Sequence, residues 1–431
     1  MRMMPADQFT LAREVEYGTA EQNDTVKSIV DQVRKEGDRA LIRLSAELDG
    51  ADLSMLGLRV KEEEIERAYS RVDGRFLAAI RQAADNIRRF HEKQLRNSWF
   101  DVQPDGSLLG MMIRPLQRVG MYVPGGKAAY PSSLLMNVIP AQVAGVPEIV
   151  MATPPATAGG DGINPYVLVT AAEIGVKEIY RIGGAQAIAA LAFGTETIRP
   201  VDKITGPGNI YVALAKRYVY GVVDIDSIAG PSEIAVLADE SADPAYVAAD
   251  LLSQAEHDEM ASAILVTTSE SLGRKVQQEL QNQLKLLPRQ AIAAKSIEER
   301  GAILLVESIK EGVEVINRLA PEHVELLVEE PLAYLGSLCN AGAVFLGPYS
   351  SEPVGDYFAG PNHILPTLGT ARFSSPLNVD DFLKKSSVIY YSREALLANG
   401  HHIVTLAQTE GLDGHARAIQ VRLEREGRRH D

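Results

Sequence analysis

The feature that most constrains this fold is an alternation of short apolar segments with helical segments between about residues 119 and 344. Strand–helix alternation is typical of βαβ units, whose right-handed crossovers cover both faces of a parallel sheet. We therefore predict an α/β fold with parallel-rich sheets. The predicted strands are Gly120–Val123, Ile149–Ala152, Glu178–Ile182, Val201–Ile204, Ile234–Leu237, Ala263–Thr267, Ala302–Val306, Val324–Val328 and Ala343–Leu346. The clearest helices between them are Pro165–Ile174, Ala185–Phe193, Asn209–Tyr218, Pro244–Asp258 and Leu272–Leu286.

The two flanks of this region have helical patterns instead. Apolar residues recur at helical spacing through much of the first hundred residues. The exception there is a predicted hairpin, in which Trp99–Val102 and Leu108–Ile113 flank a Pro-Asp-Gly turn. After Pro376 the composition becomes polar, and we predict helices at Asp380–Lys385, Glu394–Ala398 and Gly414–Glu426.

These patterns predict an N-terminal helical segment over residues 1–21 and a C-terminal helical tail over residues 378–431. Between them we expect two Rossmann-like α/β domains. The first is discontinuous and combines residues 22–121 with 233–377, and the second comprises residues 122–232.

Composition excludes several classes of function. Lys and Arg total 43 against 57 Asp and Glu, a net charge of −14, which opposes binding to a nucleic-acid backbone. The single cysteine, Cys339, excludes an intrachain disulfide and a zinc site made only of cysteines. No apolar run approaches the ~20 residues that a spanning helix needs, and the first residues do not have the pattern of a signal peptide. We expect a cytoplasmic protein that binds neither nucleic acid nor membrane.

Three glycine-rich turns are candidates for binding an anionic cofactor: Val123–Gly126, Ile182–Gln186 and Thr205–Asn209. The last two each follow a strand and open a helix, so free N–H groups would face an anion there. The chain has no G-x-G-x-x-G and no P-loop. Ordinary turn chemistry explains either loop alone, and both interpretations remain open at this stage.

Four polar clusters contain histidine. Gln254 and His257 are three residues apart and share one face of a helix. The other clusters are Glu322-His323 before a strand, Gly355 to His363 in a long Pro/Gly stretch, and Glu410 to His415 before the last helix. Each has a plain structural explanation as a helix end or turn. Together, His with Asp, Glu and Gln and no second cysteine suit zinc in a nitrogen and oxygen site.

Across these clusters and turns the chain resembles the histidinol dehydrogenase family. The resemblance is specific because its blocks are collinear from about residue 20 to 425. They are Arg118–Gly126, Gly183–Leu191, Gly206–Asn209, Ala229–Glu233, Asp250–His257, Ala320–His323, Gly355–Tyr357, Asn362–Pro366 and Glu410–His415. The stretch Thr157–Asn164 is longer than the family pattern, which leaves that loop's conformation open.

The resemblance implies a homodimer that oxidises L-histidinol through L-histidinal to L-histidine, with two NAD reductions and one zinc ion per subunit. It implies that the tails are exchanged between subunits. It also implies that the discontinuous domain carries the metal and catalytic residues and that residues 122–232 bind the cofactor. It assigns acid/base roles to Glu322 and His323. The implied zinc ligands are Gln254, His257, Asp356 and His415, and the implied cofactor contacts are Tyr122, Gln186 and Asn209. The implied substrate contacts are Ser232, Gln254, His257, His323, Asp356, His363, Glu410 and His415.

Two other functions remain as alternatives. One is an aldehyde dehydrogenase-like enzyme with Cys339 as its nucleophile, although the apolar setting of Cys339 predicts a buried, inert thiol. The other is a metal-binding protein without activity. The presence of both Glu322 and His323 opposes the second alternative, since a scaffold needs neither group.

Overall fold

The computed structural model describes residues 1–11, 13, 18–125, 130–155, 162–228 and 230–427. The chain forms two compact units. The first unit combines Met1–Gln94 with Leu116–Phe382, and the second combines Leu95–Pro115 with the chain from Leu383 onward.

The strands fall into three sheets, and most of them match the predicted positions. They are β1 (Arg2–Pro5), β2 (Trp99–Val102), β3 (Leu108–Pro115), β4 (Arg118–Tyr122), β5 (Glu148–Ala152), β6 (Glu178–Tyr180), β7 (Lys203–Thr205), β8 (Asp224–Ile225), β9 (Glu233–Ala238), β10 (Ser262–Thr267), β11 (Ala302–Leu305), β12 (His323–Leu327), β13 (Ala343–Leu346) and β14 (Leu383–Tyr390).

Helices connect these strands and cover the sheets. They are α1 (Ala20–Glu36), α2 (Asp38–Leu48), α3 (Leu53–Leu56), α4 (Glu62–Tyr69), α5 (Gly74–His91), α6 (Pro131–Ala144), α7 (Pro165–Glu173), α8 (Gly184–Phe193), α9 (Ile210–Val219), α10 (Pro244–Ala255), α11 (Glu270–Leu284), α12 (Gln290–Glu299), α13 (Ile309–Leu319), α14 (Leu332–Leu335), α15 (Glu352–Val354), α16 (Arg393–Thr409) and α17 (Asp413–Gly427). Short 3-10 segments lie at Ala6–Gln8, Glu92–Gln94, Thr370–Arg372 and Val379–Phe382, and a π-helical turn at Gly355–Ala359. Among the helices that the structure describes, none combines the length and apolarity that crossing a bilayer requires.

A six-stranded parallel sheet in the first unit has the order β1-β11-β10-β9-β12-β13. Every residue of β9 and β10 is buried, as expected for strands covered on both faces. Because side chains alternate along a strand, Ile234 and Val236 pack into the core beneath α10 and α11, whereas Ala235 and Leu237 pack on the opposite face. The start of β12 therefore lies against a strand that is covered on both faces.

A five-stranded parallel sheet in the same unit has the order β6-β5-β4-β7-β8. Helices α1, α2, α8 and α9 contribute to its main core. Helix α1 begins at a capping box, in which Thr19 and Gln22 satisfy each other's main-chain N–H groups. The mixed α/β class with parallel-rich sheets is confirmed.

The second unit contains an antiparallel sheet of order β14-β3-β2 and the helices α16 and α17. The predicted hairpin is confirmed, and its turn depends on Gly106, which has a φ of +79°. Asp105 stabilises the same turn because its side chain accepts a hydrogen bond from the Ser107 N–H at 2.9 Å.

The prediction of a helical segment over 1–21 is wrong at its start. Arg2–Pro5 is the edge strand β1, which pairs with β11. A four-residue strand whose partner lies about 300 residues away in sequence leaves no local periodicity to detect. Helix α1 begins only at Ala20, and residues 12 and 14–17 lie outside the described residues.

The predicted helix at Asp380–Lys385 is also wrong, because Leu383 begins the strand β14, which runs to Tyr390. This strand forms through pairing with β3, from Leu383 opposite Pro115 to Tyr390 opposite Leu108. The same pairing places residues 95–115 in the second unit, whereas the predicted division put them in the first α/β domain. The predicted boundary at 121/122 falls inside β4.

Candidate active site

Glu322 and His323 lie at the amino end of β12, which pairs with β9 on one side and with the edge strand β13 on the other. Both are buried, with 7% and 3% of their surface exposed. The residue before Pro321, Ala320, has a φ of +44°, a left-handed conformation that is uncommon for alanine. Strained main chain of this kind is typical of functional sites. The chain thus turns sharply from α13 into β12 and presents two adjacent proton-transfer groups.

The main chain of Glu233, at the start of the neighbouring strand β9, fixes both side chains. Its N–H donates to Glu322 Oε2 at 3.0 Å, and its carbonyl oxygen lies 3.2 Å from His323 Nδ1. A carbonyl oxygen only accepts, so Nδ1 of His323 carries the proton in this bond. The other ring nitrogen, Nε2, is buried without a partner and lies 3.9 Å from Asp356 Oδ1. In the neutral ring, Nε2 is therefore the basic atom.

Burial and the charges of neighbouring groups shift the pKa values of both Glu322 and His323. Burial raises the pKa of Glu322 to about 7, although the neighbouring His323 opposes the shift. Burial opposes the charge on His323, but the carboxylates of Glu322 and Asp356 outweigh it and raise the pKa of His323 to about 9. Nδ1 of His323 lies 3.7 Å from Glu322 Oε2, so the two groups titrate as a pair.

Next to this pair is a group of side chains suited to a metal ion. His323, Glu352 and Asp356 each offer a ligand atom, and these atoms all lie within 4.8 Å of one another. Asp356 lies in the π-helical turn Gly355–Ala359, a rare conformation that is frequent at functional sites. Burial opposes ionisation of Asp356, but His323 and His363 lower its pKa, so it is held as a carboxylate.

Gln254 provides the clearest sign that a ligand belongs here. It lies on the last turn of α10 and is fully buried, yet neither its amide oxygen nor its amide nitrogen has a hydrogen-bond partner. His257 follows two residues beyond that helix. Desolvation lowers the pKa of His257, and the charge of Asp356 opposes that shift, which places the imidazole near this carboxylate. His257 and Asp356, two of the four predicted zinc ligands, are thus near each other, and Gln254 lies three residues before His257.

Of the other predicted substrate contacts in the first unit, His363 borders the same group and Ser232 lies just before β9. His363 donates from Nδ1 to the main-chain oxygen of Asp356 at 2.9 Å, and burial lowers its pKa. Ser232 directly precedes β9, and its carbonyl oxygen accepts from the Ser262 N–H at 2.9 Å. Glu410 and His415 belong to the second unit, where they follow the end of α16 and lie in the first turn of α17.

Glu352 is a site residue that the sequence analysis missed. It is 2% exposed, and burial together with the Asp356 charge raises its pKa to about 8. Ser253 donates to its carboxylate at 3.1 Å, and its own N–H donates to Glu325 at 2.8 Å. The available signal was its position four residues before Asp356, one helical turn away.

The predicted cofactor residues lie at the carboxyl ends of the five-stranded sheet, where ligands bind in open α/β sheets. Tyr122 ends β4, and its hydroxyl accepts from the Gly184 N–H at 3.1 Å. Gln186 on α8 is 1% exposed; it donates to Asp49 at 3.2 Å, while its amide oxygen is buried without a partner. Asn209 caps α9 by accepting from two main-chain N–H groups.

Two predicted features fall outside the described residues, wholly or in part. They are Gly126, at the end of the first glycine-rich turn, and most of the 157–164 loop.

Cys339 is exposed, so the prediction of a buried thiol is wrong. It lies on the turn between α14 and β13, where its N–H donates to the Asn317 side chain at 2.8 Å. The thiol itself contacts the Ser337 carbonyl oxygen at 3.8 Å. These contacts involve none of the predicted site residues and do not favour a role for Cys339 as a nucleophile.

Comparison with known proteins agrees with this arrangement. A family model described as histidinol dehydrogenase matches residues 12–423. The chain is 63% identical over 420 residues to histidinol dehydrogenase of Halalkalibacterium halodurans, covering 97% of this chain and 98% of that protein. It is 57% identical over 418 residues to histidinol dehydrogenase of Bacillus subtilis, covering 97% of each. A crystal structure of histidinol dehydrogenase from Elizabethkingia anophelis superimposes with a TM-score of 0.91, at 38% identity and 99% coverage of both chains.

Proposed function

Because this chain belongs to the histidinol dehydrogenase family, we propose that it converts L-histidinol to L-histidine through L-histidinal, reducing two NAD molecules in succession. Family membership supports histidinol oxidation in histidine biosynthesis. The observation that carries the finer proposal is the buried pair Glu322 and His323, with ligand atoms of His323, Glu352 and Asp356 all within 4.8 Å of one another. Proton-transfer groups adjoin a set of nitrogen and oxygen ligands, as a metal-assisted alcohol oxidation requires.

The residues present fit a zinc ion. Each unsatisfied polar group in a protein interior costs about 1–3 kcal/mol, so the two free atoms of the Gln254 amide favour a bound ligand. Gln254, His257 and Asp356 would hold the metal, with His415 from a tail as the fourth ligand. Zinc bound there supplies a Lewis acid that fixes the nitrogen atoms of the substrate. His323 is left for proton transfer, and Glu352 borders the metal ligands.

The five-stranded sheet fits NAD. Tyr122, Gln186 and Asn209 gather at strand ends, and the free amide oxygen of Gln186 is an unused acceptor for a ligand donor. The N-terminus of α8 has no side-chain cap, so its main-chain N–H groups can face an anion. NAD bound there supplies the hydride acceptor for each oxidation.

In the first oxidation His323 removes the hydroxyl proton of L-histidinol as hydride leaves the adjacent carbon. Its Nε2 atom is free for this task because Nδ1 is committed to the Glu233 carbonyl oxygen. Without a metal ion, a pKa of about 9 would keep the ring of His323 protonated, and unable to accept a proton, at neutral pH. A divalent cation beside Asp356 would offset the carboxylates and keep the ring neutral at a lower pH.

The second oxidation requires water, since an aldehyde has no hydroxyl proton to lose. Glu322 removes a proton from water as the oxygen adds to the carbonyl carbon of L-histidinal. His323 returns the proton that it gained in the first oxidation to the carbonyl oxygen, which forms the hydrate and leaves the imidazole neutral. With a pKa of about 7, Glu322 is poised to accept and release this proton near neutrality. His323 then takes a hydroxyl proton of the hydrate while the second hydride leaves for NAD, and the carboxylic acid so formed loses its remaining proton to give the carboxylate of L-histidine.

The active assembly in this proposal is a homodimer with exchanged tails, in which Glu410 and His415 complete the site of the partner subunit. Two properties of the second unit support it. The apolar stripe of α17 is thin, and Ile419 and Leu423 pack against Gly400 of α16. The unit still exposes large apolar side chains that would be covered by docking. These are Trp99, Val102, Ile389, Tyr390 and Leu406.

The test is NADH formation with L-histidinol as substrate. The purified protein with zinc and NAD should produce an L-histidinol-dependent rise in NADH absorbance, with L-histidine as the product. A protein that binds zinc and is folded, yet yields no NADH, would refute the proposal.

A further inference from the structure

A buried ion pair lies behind the third glycine-rich turn, Thr205–Asn209. Lys216 of α9 contacts Asp226, which follows β8, and their side chains are only 5% and 4% exposed. Removing two charges from water is costly, and a buried pair is by itself weak evidence of a contribution to stability. The other contacts of these two side chains are therefore the informative ones.

Both members of the pair bind the main chain of one residue, Gly206. The Lys216 Nζ atom donates to the Gly206 carbonyl oxygen at 3.0 Å, and the Gly206 N–H donates to Asp226 Oδ2 at 2.7 Å. Gly206 has a φ of +117°, which side chains rarely allow. A Cβ atom there would lie 2.0 Å from the carbonyl oxygen of Tyr122. The pair thus holds this turn in direct contact with the end of β4.

That contact links the three glycine-rich turns. Tyr122 directly precedes the first turn, and its hydroxyl accepts from Gly184 in the second. Gly206 lies against the Tyr122 main chain, and the third turn ends at Asn209, the cap of α9. A shift of Gly206 would move Tyr122 and Asn209 relative to each other. Both are contacts through which the proposed function places NAD.

We infer that Lys216 and Asp226 are positioning residues for the dinucleotide: they hold the Thr205–Asn209 turn in the shape that binds NAD and act only through the main chain of Gly206. This inference rests on the proposed function. The charge of Lys216 is neutralised by Asp226, so the pair is not itself an anion site. Its loss should weaken NAD binding and leave the chemistry at Glu322 and His323 intact.

The decisive variant is the double substitution Lys216→Met/Asp226→Leu. It removes both anchors of Gly206 without leaving a buried charge unpaired, a replacement that proteins often tolerate. We expect the Kd for NAD, measured by calorimetry, and the KM for NAD to rise about tenfold or more. The KM for L-histidinol and kcat at saturating NAD should stay near wild type.

A matched control is Arg118→Met/Glu178→Leu. It removes another ion pair of the same sheet, in which Arg118 is 6% exposed and donates to Glu178 at 2.9 Å. Because Arg118 and Glu178 begin their strands, this pair lies at the amino ends, opposite the cofactor residues. This control variant should have a lower melting temperature and an unchanged NAD affinity, as expected for an ion pair whose role is only structural.

Unchanged NAD affinity in the folded Lys216→Met/Asp226→Leu protein would overturn the inference, as would an equal loss in the control. Should the double variant not fold, Asp226→Asn and Glu178→Gln provide the same comparison with milder changes, and equal NAD affinities of these two variants would again overturn the inference.

Wild-type protein is measured first. If it forms no NADH from L-histidinol, the proposed function fails. If the wild-type protein is active and the double variant binds NAD with unchanged affinity, only this inference fails.

Discussion

The two parallel sheets carry two different kinds of site. At the amino end of the six-stranded sheet, Glu322 and His323 are buried titratable groups with pKa values raised to about 7 and about 9. At the carboxyl ends of the five-stranded sheet, Gln186 and Asn209 are neutral, and burial raises the pKa of Tyr122 to about 12. In the proposed function the first site moves protons near neutral pH, and the second holds NAD through groups that keep their charge.

This difference has a measurable consequence. Changes at the first site should act on kcat, because its groups exchange protons with the reacting atoms. Changes at the second site should act on NAD affinity. For each substitution or change of conditions, kcat and the Kd for NAD should both be measured. If the two sites have separate roles, each change should alter only one of these quantities.

The largest effect should follow removal of the metal. A chelator should abolish oxidation of both substrates while NAD affinity persists, and added zinc should restore activity. Gln254→Ala should mimic this loss in a folded protein, because the buried amide has no protein partner to lose. Full activity in protein verified to be free of metal would contradict the metal assignment.

Replacing His323 should have the next largest effect. His323→Asn can still donate a hydrogen bond to the Glu233 carbonyl oxygen but has no basic Nε2. We expect kcat to fall by about 10²–10⁴ with L-histidinol and with L-histidinal, since both steps release a hydroxyl proton to this base. The Kd for NAD serves as the control and should stay unchanged. A loss confined to one substrate would show that His323 does not serve both steps.

The pH dependence should differ between the two sites. Glu322 acts as a base only when ionised, and burial raises its pKa to about 7 rather than the usual range of glutamic acid. Below pH 7 the kcat for L-histidinal should therefore fall about tenfold more per pH unit than the kcat for L-histidinol, because both steps use His323 but only the second uses Glu322. NAD affinity should stay flat over the same interval, because the cofactor residues do not titrate there. A kcat that stays level down to pH 5 would mean that Glu322 is not the base for water.

Mixing subunits should give the smallest effect, a return of about one quarter of wild-type activity. His415→Ala and His323→Ala chains, each inactive, are unfolded and refolded together in equal amounts. About half the dimers are hybrids, and exchanged tails give each hybrid one intact site. If His415 serves its own chain, every site keeps a lesion. An inactive mixture with hybrids verified by mass would therefore exclude the shared site.

The sequence predicted the interior of the fold better than its edges. Strands such as β9 and β10 are continuous apolar runs, because both of their faces are buried, and this pattern is local. Strands β1 and β14 owe their structure to partners far away in sequence, so no local pattern marks them. Pairing with β3 overrides the helical appearance of the chain after Asp380.

The candidate site was predicted by residue type and resemblance, while its electrostatics required the structure. Adjacent Glu and His before a strand can be read from the sequence, but the roles of Gln254 and Asp356 came from the family pattern. Glu352 was missed because its burial depends on tertiary contacts with Ser253 and Glu325. The burial of Cys339 was predicted wrongly for a similar reason. Its N–H donates to the Asn317 side chain, a tertiary contact that holds this turn at the surface.

The central claim is that Glu322 is the base that activates water and that His323 is the base that removes the hydroxyl protons. The yield of NADH from the Glu322→Gln variant tests this claim most directly. Wild-type protein given limiting L-histidinol and excess NAD should form two NADH for each L-histidinol consumed. Glu322→Gln should form close to one while L-histidinal accumulates, because hydration of the aldehyde has lost its base. A yield of two, with both oxidations slowed equally, would contradict the assignment.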